Sequence, residues 1–176
     1  MTKADLRHKH LNLRKQEDRL ELLKRSSFIT QQLIPHLEKV SSVGIYISVD
    51  QEVNTRELIE LLFKSGKRVC VPKIVNQNMI FVDIHSLDEC NSNGRLLEPV
   101  SITEAKEPEL QIIPMLAYNS RKYRLGYGKG YYDAYLKSYG GKTIGLCYAF
   151  DYEEELIEDD FDISCQLILT DSFQNY

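Results

Sequence analysis

The segment from Tyr123 to Leu136 carries the most suggestive chemistry in this chain. Three glycines occupy alternate positions just before a predicted helix: Gly126, Gly128 and Gly130. Glycines let the backbone turn sharply and bring its N–H groups close to an anion. The helix start adds free N–H groups and a positive dipole end, and Arg124 and Lys129 add mobile cations suited to phosphate oxygens. The segment therefore predicts a phosphate-binding cradle.

Two familiar phosphate motifs are excluded by single residues. A P-loop requires Ser or Thr after its Lys, where Gly130 stands, and a dinucleotide fingerprint requires glycine where Tyr131 stands. Glycine spacing on its own fits a glycine-rich surface turn equally well. Asp133 falls in the first turn of the predicted helix, where its carboxylate could either cap N–H groups or hold Mg2+ beside the phosphates.

Signatures of other catalytic classes are missing from the sequence. There is no Ser-His-Asp or Cys-His arrangement, and four histidines fall in helical or peripheral contexts that favour surface or packing roles: His8, His10, His36 and His85. Four cysteines lie far apart with no Cys-x-x-Cys pair, which favours buried, reduced thiols over disulfides or zinc ligands: Cys70, Cys90, Cys147 and Cys165.

Apolar periodicity predicts the elements that precede the glycine-rich segment. Thr2 followed by Asp5 has the character of a capping box, and apolar residues at helical spacing predict one long or two consecutive amphipathic helices down to Leu37. A strand, a helix and a second strand follow at Val43 to Ser48, Asn54 to Lys64 and Arg68 to Pro72. Such a β-α-β unit implies parallel pairing of its strands.

The later part of the chain alternates strands, loops and one helix. Further strands are predicted at Met79 to Ile84, Leu110 to Pro114, Thr143 to Cys147 and Leu167 to Thr170. Asp88 to Glu109 is polar, contains two prolines and is interpreted as a long irregular connection. Residues 115 to 129 are predicted to be a loop, and Gly130 to Tyr139 a helix. The pattern predicts a single-domain α/β protein.

Composition sets the class of protein. The chain has 176 residues, of which 43% are hydrophobic and 27% charged, so neither a disordered chain nor a membrane protein is expected. No uninterrupted apolar run precedes Leu33, so we expect neither a signal peptide nor a spanning helix, and we expect a cytoplasmic protein. Nucleic acid is not expected as a partner, because the net charge is −4 and no binding module is apparent.

Charge is unevenly distributed along the sequence. Residues 1 to 25 carry eight Lys or Arg, whereas residues 151 to 176 carry nine Asp or Glu and no Lys or Arg. An anionic ligand near the basic end is one interpretation. An ordinary solvated helix face is the other, and we favour it for most of these charges.

Three blocks of the sequence together resemble one enzyme family. Arg124 to Leu136 (RLGYGKGYYDAYL) closely resembles the signature of the 5-formyltetrahydrofolate cyclo-ligase (methenyltetrahydrofolate synthetase) family. Lys3 to Arg7 (KADLR) looks like its first nucleotide-binding element, and Tyr46 to Thr55 (YISVDQEVNT) like its folate-contacting loop. The likeness extends over nearly the whole chain. It implies an ATP-binding α/β fold, with a mostly parallel sheet flanked by helices in three layers.

The resemblance also implies roles for individual residues. ATP would be bound by two segments, Lys3, Ala4, Asp5, Leu6 and Arg7, and Arg124, Leu125, Gly126, Tyr127, Gly128, Lys129, Gly130, Tyr131 and Tyr132. Lys129 and Arg124 would act in catalysis. Ile47 and Glu52 would contact the folate, and the connection at Asp88 to Glu109 would help wall the site. Mg2+ would be held by Asp133 and Asp160.

The activity implied is ATP-dependent conversion of 5-formyltetrahydrofolate to 5,10-methenyltetrahydrofolate, with ADP and phosphate released. The mechanism expected passes through a phosphorylated formyl oxygen and requires Mg2+, and phosphoryl transfer of this kind needs positioning and charge neutralisation rather than a nucleophilic side chain. The substrate is the folate, either with one glutamate or polyglutamylated. We expect a monomer with no membrane or nucleic-acid partner.

Two positions depart from the family pattern. Met115 and Asn119 stand where the family usually has a glycine and a carboxylate. They prompt an alternative, a nucleotide or phosphate sensor that kept the cradle and lost the chemistry. A third hypothesis is a nucleic-acid-binding protein acting through the basic N-terminal helix. The acidic run Asp159, Asp160 and Asp162 also leaves open which carboxylate serves the metal.

Overall fold

The computed structural model describes residues 1–172. The helices are α1 (Lys3–Gln16), α2 (Arg19–Gln31), α3 (Ile34–Leu37), α4 (Arg56–Lys64) and α5 (Tyr131–Leu136). The strands are β1 (Ser42–Ile45), β2 (Arg68–Val75), β3 (Asn78–Ile84), β4 (Cys90–Asn93), β5 (Leu96–Pro99), β6 (Leu110–Pro114), β7 (Ala117–Tyr118), β8 (Arg124–Leu125), β9 (Lys142–Leu146) and β10 (Leu167–Leu169).

Six strands form the central sheet in the order β10-β9-β6-β1-β2-β3. All neighbours pair in parallel except β2 and β3, which form an antiparallel hairpin. The predicted β-α-β unit is confirmed, because β1 and β2 pair in parallel and are connected through α4. The hairpin turn uses Asn76 and Gln77, whose φ angles of 49° and 67° suit a tight two-residue connection.

Helices cover both faces of this sheet. Ile112 of β6 belongs to an apolar cluster with Ile29 of α2 and Ile59 of α4. The next residue of the strand, Ile113, belongs to a second cluster with Leu136 of α5. Successive side chains of a strand point to opposite faces, so the two clusters lie on opposite sides. The prediction of a three-layer α/β domain with a mostly parallel sheet is confirmed.

The chain begins with two helices rather than one. Thr2 caps α1, its side chain accepting from the backbone N–H of Asp5 while the Asp5 carboxylate accepts from the backbone N–H of Thr2, so the predicted capping box is confirmed. The helix ends before Glu17, and Asp18 caps α2 by accepting from two backbone N–H groups. An extended backbone at Glu17 and Asp18 separates the two helices.

Two stretches predicted as irregular contain short hairpins. β4 and β5 pair antiparallel within the connection at Asp88 to Glu109, around Gly94 with φ of 62°. β7 and β8 pair within residues 115 to 129. These strands are short and do not alternate cleanly between apolar and polar residues, which is why periodicity missed them. The last helix, α5, is also shorter than its predicted range.

The basic residues near the N-terminus pair with carboxylates from the end of the chain. Lys9 lies 2.5 Å from Glu153, and Arg25 lies 2.5 Å from Asp171. The interpretation of a purely solvated face is therefore wrong for these residues. The pairing of Lys9 removes part of the free positive charge of the N-terminal helix on which the nucleic-acid hypothesis depended.

Candidate active site

A cavity of about 680 Å³ opens where two central strands end. Tyr46 and Ile47, which line it, follow β1, and Pro114, which also lines it, is the last residue of β6. Ligands of open parallel sheets bind outside the carboxyl ends of the strands. Arg124 to Asp133 contribute every residue of their segment to the same wall.

The glycine-rich segment turns sharply between β8 and α5. Gly128 and Gly130 have φ angles of 94° and 69°, a region that residues with a Cβ avoid. Gly130 is the N-cap residue of α5 and has no side chain to satisfy the first N–H groups of the helix. The segment thus presents backbone to the cavity, as the predicted cradle requires.

Arg7 of α1 braces this turn. Its Nε donates to the carbonyl oxygen of Gly126 at 2.8 Å. A Cβ placed on Gly128 would lie 3.2 Å from the Cζ of Arg7. A larger residue at Gly128 would therefore be strained by the positive φ and would require Arg7 to move by a few tenths of an ångström.

Replacing Gly128 by alanine is expected to weaken ATP binding about tenfold, because the added methyl group strains the turn and pushes against Arg7. Isothermal titration calorimetry with ATP measures the effect. Gly66→Ala is the matched control, since Gly66 also has a positive φ, of 69°, no atom lies within 4 Å of where its methyl group would stand, and the residue is outside the cavity lining. Equal ATP affinity in Gly128→Ala and wild type would contradict the assigned cradle.

Two cations of the cradle are held very differently. Arg124 is buried and donates to the carbonyl oxygen of Ile163 and to Oδ1 of Asp133, each at 2.5 Å. The expectation of a mobile cation is therefore wrong for Arg124. Lys129 is exposed and makes no ion pair with any residue of the described range 1–172. It is the cation of the segment that is free to follow a ligand.

The first predicted nucleotide-binding segment reaches the cavity through two side chains. Lys3 and Arg7 line it, whereas Ala4 and Asp5 are exposed outside the lining and Leu6 is buried in a small apolar cluster. The ammonium of Lys3 lies 2.6 Å from Asp159 and 2.5 Å from Asp162. Burial alone would lower the pKa of Lys3, but these two carboxylates raise it.

The predicted folate-contacting residues follow β1 and belong to the same cavity. Ile47 and Glu52 both line it. The Glu52 carboxylate accepts from the backbone N–H of Val49 at 2.9 Å and hydrogen-bonds the hydroxyl of Tyr127. Burial raises the pKa of Glu52, while these hydrogen bonds and the charge of Arg14 oppose the rise.

Part of the cavity wall was not identified from sequence. The β2–β3 hairpin supplies apolar side chains, namely Pro72, Ile74 and Met79. Residues 93 and 95 to 98, around the β4–β5 turn, line it as well, and they belong to the connection at Asp88 to Glu109 that was expected to help wall the site. Arg95 lies 3.0 Å from Asp50, so the turn is tied to the loop that carries Glu52. Because β2 was predicted to pair with β1, its side chains could have been expected in the wall of the same cavity.

A buried charged network between α1 and the segment around Asp151 was also missed. Arg14 donates to Asp151 at 2.8 Å and to the carbonyl oxygen of Met115 at 2.6 Å. His10 lies fully buried between Asp151 and Glu153, at 2.9 Å and 3.3 Å. The packing role expected for His10 agrees with this position. Side chains four residues apart lie on the same face of a helix. The buried residues of α1 follow this spacing, which could have indicated the inner face of the helix: Leu6, His10 and Arg14.

The two departures from the family pattern lie outside the cavity. Met115 is buried in the cluster that packs on α5. Asn119 is buried, accepts from the backbone N–H groups of Arg121 and Tyr123 at 3.1 Å, and donates to Leu156 at 3.0 Å. It shapes the β7–β8 hairpin. Neither residue therefore alters the wall that a ligand would touch.

Carboxylates for a metal ion are few. Asp133 lines the cavity and accepts from Arg124 and from the backbone N–H of Ile163, both at Oδ1. Asp160 is exposed and outside the lining, whereas Asp159 and Asp162 belong to it. Residues 1–172 contain no group of three His, Cys, Asp or Glu side chains placed to hold a metal ion. The donors present fit Mg2+ bound mainly by phosphates, with one carboxylate added.

None of the helices within residues 1–172 combines the length and apolar character needed to cross a lipid bilayer.

Comparison with known proteins gives a consistent result. The model of the 5-formyltetrahydrofolate cyclo-ligase family matches residues 1–171. A protein of Escherichia coli K12 named 5-formyltetrahydrofolate cyclo-ligase is 30% identical over 78% of this chain and 82% of its own. A Schizosaccharomyces pombe protein named as a probable enzyme of this kind is 32% identical, over 60% of this chain and 56% of that one. The solved structure of Aquifex aeolicus 5,10-methenyltetrahydrofolate synthetase superposes with a TM-score of 0.86, at 28% identity, over 97% of this chain and 90% of that one.

Proposed function

This chain belongs to the 5-formyltetrahydrofolate cyclo-ligase family, and we propose that it converts 5-formyltetrahydrofolate to 5,10-methenyltetrahydrofolate with conversion of ATP to ADP and phosphate. The observation that carries the proposal is a single cavity lined both by the cradle, Arg124 to Asp133, and by Ile47 and Glu52. Two substrates that must react with each other need such a shared space.

The chemistry explains why ATP is needed. The formyl group on N5 is an amide, whose carbon is a poor electrophile and whose oxygen is a poor leaving group. Attack of the formyl oxygen on the γ-phosphorus forms a new P–O bond, breaks the bond to the β-phosphate and releases ADP. N10 then attacks the activated carbon, loses its proton, and phosphate departs with the former formyl oxygen. The product is the methenyl cation, with ADP and phosphate as co-products.

The nucleotide side of the proposal rests on the cradle. The backbone N–H groups around Gly126 to Gly130 bind the phosphates, and Lys129 follows the γ-phosphate as charge develops. Arg7 and Arg124 hold the turn and add positive charge to the wall. Lys3, whose carboxylate partners lie at the same rim, closes this side of the cavity.

The folate side rests on Glu52, Ile47 and the apolar side chains of the β2–β3 hairpin. Glu52 accepts hydrogen bonds from the amino and ring N–H groups of the pterin, for which its half-buried carboxylate is suited. Ile47, with the apolar side chains of Pro72, Ile74 and Met79, packs against the ring. A pterin held in this way presents N5 and its formyl group toward the cradle.

A metal ion bound in the cavity would add positive charge beside the phosphates. Asp133 would hold Mg2+ through Oδ2, since both of its hydrogen bonds to residues of the described range end on Oδ1. The bound ion would neutralise charge on the β- and γ-phosphate oxygens. Asp159 and Asp162 are nearer to the cavity than Asp160, but both are engaged by Lys3.

The proposal predicts an ATP-dependent rise in absorbance at the band of the methenyl product. Purified protein is mixed with 5-formyltetrahydrofolate, Mg2+ and ATP, with ATP omitted in the control, and ADP is measured in parallel. Equal amounts of methenyl product and ADP are expected. ATP binding without folate-stimulated ADP release would instead support the sensor alternative. That alternative was prompted by Met115 and Asn119, and both residues lie outside the cavity lining.

A further inference from the structure

Tyr132 carries a polar atom that the fold leaves unsatisfied. Its hydroxyl is buried and has no hydrogen-bond partner among residues 1–172. Buried polar groups are almost always paired, because an unpaired hydroxyl loses its bonds to water without replacement. The side chain lines the cavity and its ring packs against the apolar cluster of Ile113 and Leu136.

Tyr132 lines the same cavity as Glu52, from the predicted folate loop, and Arg124, from the cradle. After burial itself, the groups that act most strongly on it are Glu52 on the folate side and Arg124 on the cradle side. Burial and the charge of Glu52 raise the pKa of Tyr132 far above its ordinary value. The hydroxyl therefore stays protonated and can donate a hydrogen bond throughout the physiological pH range.

We propose that the Tyr132 hydroxyl donates a hydrogen bond to the formyl oxygen of the bound 5-formyltetrahydrofolate. This inference rests on the function proposed above and adds to it a substrate-binding residue that fixes the reacting group. The resemblance to the family assigns Tyr132 to ATP, whereas its unpaired hydroxyl, on a side chain that shares a cavity wall with Glu52 and Arg124, points to the atom where the two substrates meet.

The hydrogen bond orients the formyl group and leaves one lone pair of its oxygen available for the attack. A carbonyl oxygen has two lone pairs, so one accepts from Tyr132 while the other faces the γ-phosphorus. In the free enzyme the unpaired hydroxyl is destabilising, and the substrate relieves that destabilisation when it binds. The interaction is therefore specific to a ligand with an acceptor at this position.

Tyr132→Phe tests the inference. Tyr135→Phe is the matched control, because Tyr135 lies one turn further along α5 and outside the cavity lining. We expect kcat/KM for 5-formyltetrahydrofolate to fall about tenfold in Tyr132→Phe, with the dissociation constant for ATP changed less than about twofold. The melting temperature of the free variant should equal or exceed that of wild type, because no hydrogen bond to the protein is lost. The folate-induced rise in melting temperature should shrink.

Two results would overturn the inference. A lower melting temperature of free Tyr132→Phe would show that the hydroxyl has a partner in the protein. An unchanged folate-induced rise in melting temperature would show that the hydroxyl does not contact the formyl group. A loss of ATP affinity without a change in that rise would show the same. Because the melting shifts need no turnover, they decide this point even if wild type fails the ATP-dependent assay, which would reject the proposed function separately.

Discussion

Lys129→Ala is expected to reduce kcat about 10²- to 10³-fold, the range found when one group that stabilises developing negative charge is removed. Lys129 is the exposed cation between Gly128 and Gly130, and it makes no ion pair with the described residues 1–172. Nothing in the fold is therefore lost with its ammonium group. The ATP-dependent absorbance of the methenyl product measures the effect, and circular dichroism should show an unchanged protein.

Lys137→Ala provides the control for Lys129. Lys137 is exposed at the C-terminal end of α5 and lies outside the cavity lining. Removing the same charge there should leave kcat near that of wild type. Full activity in Lys129→Ala would reject its role, and an equal loss in both variants would point to net charge rather than to the cradle.

Arg14→Met is expected to lower the free energy of unfolding by about 3–5 kcal/mol, the usual result of breaking a buried ion pair by removing one partner. The guanidinium is 2% exposed and serves Asp151, which is fully buried, as well as the carbonyl oxygen of Met115. Burial alone would lower the pKa of Arg14, but Asp151 raises it, so the pair is ionic. Methionine keeps the apolar length and leaves the carboxylate buried without its cation.

Urea unfolding measures this change as a lower midpoint at an unchanged slope. Lys15→Met is the control, because Lys15 is the next residue of α1 and is exposed. Adding Asp151→Leu to Arg14→Met should recover part of the loss, since the second change removes the unpaired carboxylate. If Arg14→Met proved as stable as Lys15→Met, the network would carry no net stability.

The sequence predicted those features that depend on neighbours along the chain. The capping box at Thr2, the β-α-β unit and the glycine turn were all visible in short segments, because capping, periodicity and positive φ angles are set by local sterics and hydrogen bonds. The cradle from Arg124 to Asp133 lines the cavity as one continuous piece. A contiguous motif of this kind needs little from the rest of the fold.

Pairings between distant residues could not be predicted in this way. The sequence shows a run of acidic residues. It does not show that Asp159 and Asp162 pair with Lys3 while Asp160 lies outside the cavity lining. It likewise contained His10 and Arg14 without showing that Asp151, more than a hundred residues later, lies between them. Which carboxylate reaches which cation depends on how strands and helices pack, and many residues contribute to that packing.

Sequence was sufficient to establish the type of fold, the phosphate-binding turn and the family to which the chain belongs. Only the packed chain established that Arg124 is fixed by Asp133, that Asn119 shapes a hairpin, and that the Tyr132 hydroxyl is left without a partner among residues 1–172. The difference follows from the range of the forces involved. Backbone conformation is set by adjacent residues, whereas burial and the pairing of polar atoms are properties of the whole folded chain.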